Sequence, residues 1–172
     1  MNLGGCFLNI RQIHPEDCKA IIEAASDWWG RPYSSDMFSK WYIEHFQDTC
    51  LLAEEDGKII GFVMGFLSQS KPNEAYIRIV MVAPSRRGKG VGQALYKEFF
   101  KRVGAAGRSI VRCVTAPANK NSIEFHTRMG FIVEPQEQEL DGVPVCLDYD
   151  GRGGNRVLFK KGIVSSTYEG SL

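Results

Sequence analysis

Cys18, Ile21, Ile22, Ala25 and Trp28 recur three or four positions apart, the spacing of one apolar helix face. Pro15-Glu16-Asp17 stands directly before them and predicts the helix start, with proline tolerated in the first turn and carboxylates favoured by the helix dipole. Gly30-Arg31-Pro32 ends the run, and Phe38, Trp41, Tyr42 and His45 mark the face of a second helix beginning near Ser35 or Asp36. Residues 7–12, ahead of both, predict an opening strand. Residues 50–54 and 58–67 are apolar runs separated by Glu55-Asp56-Gly57, whose Asp-Gly step is a strong hairpin signal. Residues 75–83 form a third run, which Pro84 stops because it has no ladder donor.

Val91, Ala94, Leu95, Phe99 and Val103 then predict a helix, followed by a strand at 109–115, a helix at 119–129 and short strands at 131–133 and 156–160. The polar stretch 134–141 reads as a loop. The order β-α-α-β-β-β-α-β-α-β-β describes a mixed, mostly antiparallel α/β sheet of about six or seven strands flanked by about four helices. A length of 172 residues without a low-complexity linker or repeat suits one domain, 1–172.

Composition changes this picture only slightly. Lys and Arg number 21 against 20 Asp and Glu, a formal charge of +1, and no basic stripe with interleaved aromatics suggests nucleic acid. The five cysteines, at 6, 18, 50, 113 and 146, are scattered and odd in number, which fits a reducing, cytoplasmic setting better than a disulfide framework. They and the isolated His14 and His45 form no metal-ligand cluster, so no metal is expected. No signal peptide or membrane-length apolar run is read.

The most informative segment is Val82-Ala83-Pro84-Ser85-Arg86-Arg87-Gly88-Lys89-Gly90-Val91-Gly92, between a buried strand and an amphipathic helix. Three glycines at alternate positions let backbone N–H groups converge at a helix N-terminus, and Arg86, Arg87 and Lys89 add cations: a cradle for a multiply charged phosphate. A Walker loop is excluded because no Ser or Thr follows Lys89. A dinucleotide fingerprint is excluded because its last glycine position falls on Gln93 or Leu95.

Arg87-Gly88-Lys89-Gly90-Val91-Gly92 resembles the R/Q-x-x-G-x-G/A pyrophosphate loop of the GNAT N-acetyltransferases. Asn119-x-x-Ser122-x-x-Phe125-His126-x-x-x-Gly130-Phe131 is similar to that family's later block, and the likeness is strongest over about 58–131, the expected acetyl-CoA-binding core. The resemblance implies acetyl-CoA as cosubstrate. The backbone of Met81 and Val82 would pair with its pantetheine arm, the N–H groups of 87–92 would hold its pyrophosphate, and Asn119, Ser122 and Phe125 would lie near the arm. It further implies direct attack of an amine on the thioester, with no cysteine nucleophile, and makes a homodimer an expectation.

His126 stands where the family usually has a tyrosine acid, so it either supports the departing sulfur or simply packs. Glu74 is available as the base or is a plain strand-end carboxylate, and Arg78 either attracts an acidic group on the acceptor or forms an ion pair. Trp28-Trp29-Gly30-Arg31-Pro32-Tyr33 is dense in aromatics that would either stack on an acceptor or fill the core. The acceptor expected is a small amine. The alternatives are a protein lysine or N-terminus, and an acyl-CoA-binding module without catalysis.

Overall fold

The computed structural model describes residues 8–30 and 38–163. Cys6, Phe7 and the 31–37 stretch, with Arg31, Pro32, Tyr33 and the expected start of the second helix, lie outside the described residues. The strands are β1 (Asn9–Gln12), β2 (Cys50–Glu55), β3 (Lys58–Leu67), β4 (Glu74–Val82), β5 (Ile110–Thr115), β6 (Ile132–Val133), β7 (Gln138–Leu140), β8 (Val143–Val145) and β9 (Val157–Gly162). The helices are α1 (Cys18–Trp29), α2 (Lys40–Phe46), α3 (Val91–Ala105) and α4 (Lys120–Arg128). Seven strands are hydrogen-bonded in the order β1-β2-β3-β4-β5-β9-β6, giving the expected mixed and mostly antiparallel α/β fold. The β4–β5 pair is parallel. The chain forms two compact units, 1–66 with 77–103 and 67–76 with 104–172, and β4 contributes to both.

In the first unit, β1 and β3 pair antiparallel with β2. Asp56 and Gly57 take φ of 51° and 73° in the β2–β3 turn, the left-handed pair that a tight Asp-Gly hairpin requires. Successive residues of a strand face opposite sides, and here both sides are covered. Leu52, Phe62 and Met64 join Ile21 and Ala25 of α1 and Tyr42 and Ile43 of α2 in one buried cluster. Gly61 faces the other way, where an added Cβ would lie 3.1 Å from Val91 Cγ1 and 3.2 Å from Leu95 Cδ1. Burial on two faces is why β2 and β3 read as near-continuous apolar runs instead of alternating.

Polar contacts fix the entry to α1. Asp17 accepts the His14 N–H at 2.8 Å and takes both Arg11 guanidinium nitrogens, at 2.7 and 2.9 Å. Arg11 reaches Glu54 of β2 as well, at 2.8 Å.

In the second unit, the start of β4 pairs with β5 through Glu74↔Ile110, Ala75↔Val111 and Tyr76↔Arg112, and β9 pairs antiparallel with both β5 and β6. The stretch expected to be a loop instead contains β7, which pairs with β8 across Asp141 and Gly142 at φ 50° and 74°. The physical reason is the same Asp-Gly turn chemistry that closes β2 onto β3. Among the described residues no helix is long and apolar enough to cross a membrane.

Candidate active site

β4 carries Met81 and Val82 to the end of the first unit's sheet, where the Ala83 N–H bonds Ile60 O at 2.9 Å and Pro84 stops the strand. A single 3-10 turn over Pro84–Arg86 then redirects the chain. Gly88 and Gly90 adopt φ of 72° and 83°, and a Cβ at either would meet nothing within 4 Å. Conformation, not crowding, therefore calls for glycine at both positions. The Ala94 N–H bonds Gly90 O at 2.9 Å, the first bond of α3. That leaves the N–H groups of Val91, Gly92 and Gln93 as the donors a helix start offers, at the positive end of the helix dipole. Donors so placed suit a polyanion.

The three cations of the loop are not equivalent. Arg86 is half-buried and paired with Glu55, its Nε 2.6 Å from Oε2, so it anchors the loop to the end of β2. Arg87 and Lys89 are exposed, and the Arg87 Nε donates to Val82 O at 3.2 Å. Sequence reasoning counted three cations alike because the Glu55 contact spans 31 residues. It also missed Gly61, whose lack of a side chain seats the first turn of α3 against β3. A glycine inside an otherwise apolar strand was the available signal.

The other expected site residues belong to the second unit. Asn119 caps α4, its Oδ1 accepting the Ser122 N–H at 3.1 Å. His126 is 3% exposed and stacks on Phe159 at 4.9 Å, with Phe131 and Phe125 edge-on at 5.4 and 5.5 Å. Its Nδ1 lies 2.7 Å from the Ser122 carbonyl, which can only accept, so Nδ1 carries the proton. Burial lowers its pKa and the bond to Ser122 opposes that only in part, so the ring is neutral at pH 7. Glu74 sits at the start of β4 with its carboxylate on Arg112 Nε at 2.8 Å and 3.7 Å from Lys71 Nζ. Arg112 also pairs with Glu134.

The neutral imidazole makes a prediction. A histidine whose folded pKa is lowered adds stability that is complete above the ordinary value of 6.5 and is lost as pH falls through the folded value. The melting temperature of the wild type should therefore decline below pH 6.5, and His126→Phe should flatten that part of the profile while keeping the aromatic stack. An unchanged pH profile in the variant would show that His126 is not what titrates.

Tyr42 and Arg78 form a second polar group in the first unit. The Arg78 guanidinium carbon lies 5.0 Å from the centre of the Tyr42 ring, and the Tyr42 hydroxyl is buried without a hydrogen-bond partner. Trp28 stacks on Phe62 within the core, whereas Trp29 and Trp41 are exposed. The adjacent tryptophans of α1 thus divide, one inward and one outward. Among the described residues no three His, Cys, Asp or Glu side chains converge as a metal-ligand group.

Comparison with known proteins places the chain in a family. The model of the acetyltransferase (GNAT) family matches residues 18–131. The L-2,4-diaminobutyric acid acetyltransferase of Nocardia farcinica is 36% identical over 90 residues, 52% of this chain and 46% of that protein. The chain spans about half the length of the first curated relatives it matches, 46% and 54%. Among solved structures, Ard1 from Thermoplasma volcanium aligns with a TM-score of 0.75 at 20% identity, over 91% of this chain and 98% of that one. The diaminobutyrate acetyltransferase EctA from Paenibacillus lautus, in complex with L-2,4-diaminobutyric acid and coenzyme A, aligns with a TM-score of 0.68 at 22% identity, over 92% and 96%.

Proposed function

Because the chain belongs to the GNAT acetyltransferase family, we propose that it transfers an acetyl group from acetyl-CoA to the primary amine of a small molecule. The observation that carries this reading is the loop at 86–92, where two left-handed glycines and the open N–H groups of α3 offer a seat for a pyrophosphate. Acetyl-CoA supplies the activated acyl carbon. In the transfer the amine nitrogen bonds to that carbon, the carbon–sulfur bond breaks, and the ammonium proton leaves as the thiolate takes one up. The relatives named as diaminobutyric acid acetyltransferases support a diamino acid as the acceptor class. We treat 1–172 as one acetyltransferase domain acting in the cytoplasm, a setting that suits the four free cysteines among the described residues.

We assign neither proton transfer to His126 or Glu74. A buried, neutral imidazole whose proton is committed to the Ser122 carbonyl is a packing group. Glu74 is held by Arg112, and the pair ties β4 to β5. An acceptor amine of pKa about 10.4 then enters as the small free-base fraction, so kcat/KM should rise about tenfold per pH unit between pH 7 and 9. A plateau reached near pH 6 to 7 would instead place a protein base in the reaction.

The direct test is release of free thiol from acetyl-CoA against a panel of diamines, diamino acids and a peptide with a free N-terminus. Acetylation of a diamino acid is expected. Turnover with the peptide alone would overturn the small-molecule acceptor, and tight coenzyme binding with no turnover on any amine would overturn catalysis.

A further inference from the structure

In the second unit an open cavity of about 630 Å³ lies at the foot of the β7–β8 hairpin, and the acetyl-transfer chemistry above leaves it unused. Gln138 and Val145 line it and form the first rung of the hairpin, and Pro135, Glu137, Cys146 and Leu147 line it as well. The volume is that of a small-molecule site. Its position follows from the strand register. Thr115, the last residue of β5, pairs with Val157 of β9, and Arg156, one residue before Val157, bridges to Cys146. The cavity therefore stands off the carboxyl end of β5, the end from which the chain enters α4. β5 is also the strand that runs parallel to the start of β4, and the carboxyl ends of parallel strands are where α/β sheets hold their ligands. At the tip of the hairpin Asp141 lies 3.5 Å from Lys120, the first residue of α4, and fastens the hairpin to that helix.

The lining sets the class of ligand. Val145, Pro135 and Leu147 are apolar, and Leu147 keeps 50% of its surface in water, so an aliphatic chain laid against it removes apolar area from solvent. The lining contains no cation, and its one charged group is the Glu137 carboxylate. Neighbouring carboxylates are engaged elsewhere: Glu134 with Arg112, Asp150 with Arg156 at 2.6 Å, and Asp148 with the Gly153 N–H at 2.6 Å. Glu137 has no ion pair or hydrogen bond among the described residues, and residues 130–151 carry no lysine or arginine of their own. Apolar walls beside one uncompensated negative charge match an aliphatic chain that ends in an ammonium. A carboxylate or phosphate in the same place would meet Glu137 with no cation to offset it.

We propose that this cavity seats the aliphatic chain of the acceptor with its second, non-reacting ammonium on Glu137, so that the protein selects diamines over monoamines of equal length. The proposal rests on the acetyltransferase reading and adds to it the residue that chooses the substrate.

The matched probes are 1,4-diaminobutane and 1-aminobutane, which differ only by the second amine. For the full-length wild type, kcat/KM for the diamine, corrected for its two equivalent amines, should exceed that for the monoamine about tenfold, the size expected of one charge-assisted contact open to solvent. Glu137→Gln should erase that preference. Glu139→Gln should keep it, because Glu139 is an exposed carboxylate of the same hairpin that does not line the cavity. Equal values for the two acceptors in the wild type, or an undiminished preference in Glu137→Gln, would overturn the subsite. Cys146 gives a readout that needs no turnover, since its thiol lines the same cavity and is half-buried. Alkylation of Cys146 by iodoacetamide, followed by peptide mass mapping, should be slowed several-fold by 1,4-diaminobutane in the wild type and in Glu139→Gln, and not in Glu137→Gln. If no amine is acetylated, the transferase reading fails on its own, and the alkylation still decides. Protection that Glu137→Gln abolishes supports the ammonium site; protection equal in both proteins, or absent from both, overturns it.

Discussion

Valine in place of Gly90 should weaken coenzyme A binding about 100-fold, measured by calorimetric titration well below the melting temperature. Gly90 sits at φ 83°, where a side chain costs about 1–2 kcal/mol and a branched one more. The backbone can escape that strain only by rotating the peptide. Rotation withdraws Gly90 O from the Ala94 N–H, breaking the first bond of α3. The N–H groups of Val91 and Gly92 then turn away from the seat. Each hydrogen bond to a charged oxygen contributes about 1.5–3 kcal/mol, so losing one or two accounts for the fold-change. Gly57→Val is the control, because Gly57 has φ 73° in the β2–β3 turn: it should lower stability and leave coenzyme affinity unchanged. Arg87→Met and Lys89→Met should each weaken binding several-fold and reduce its salt dependence. Arg86→Met should act mainly on stability, since it strands the half-buried Glu55. Coenzyme affinity unchanged in Gly90→Val would remove this loop as the pyrophosphate seat.

Most of the sheet and its helices were legible because burial on both sides makes the strands continuous apolar runs and the helices strongly periodic. β2 and β3 are buried along most of their length, and Asp56-Gly57 between them has one hairpin solution. The backbone of the loop proposed to hold the pyrophosphate was legible for a related reason: its glycines are required by local conformation, which neighbouring residues encode. β7 was not legible because its three residues, Gln138, Glu139 and Leu140, are all exposed and carry no burial pattern. Its Asp141-Gly142 turn was nonetheless in view. The long-range ion pairs were hidden for a different reason, since each joins residues distant in sequence and no local rule pairs them. Arg86 finds Glu55 across 31 positions, and Arg112 finds Glu74 across 38. Arg78 could be placed on a strand, but its packing over the Tyr42 ring appears only when α2 is in place.

Phe62→Ala should remove about 4 kcal/mol of folding stability in chemical denaturation, a large part of the roughly 5–15 kcal/mol that holds a typical domain. Phe62 has no exposed surface, and its ring stacks on Trp28 at 5.9 Å and 21° and meets Phe38 edge-on at 5.4 Å. Alanine leaves a cavity that the surrounding core can only partly close, because the strand holds its backbone and α1 is fixed at its start by Asp17 and Arg11. Trp28 loses its stacking partner, so its fluorescence in the native state should shift toward that of a wetter ring. The neighbouring residue separates stability from binding. Gly61→Ala needs Val91 and Leu95 to give by a few tenths of an ångström against a Met81 carbonyl that cannot move, at about 1–2 kcal/mol. That shift moves the first turn of α3, so coenzyme affinity should fall together with stability. Phe62 lies on the opposite side, in the buried cluster shared with α1 and α2, so Phe62→Ala should spare coenzyme affinity. Two adjacent positions of one strand would then separate folding stability from coenzyme affinity. The same loss of coenzyme affinity in both variants would mean that the two sides of β3 are not independent.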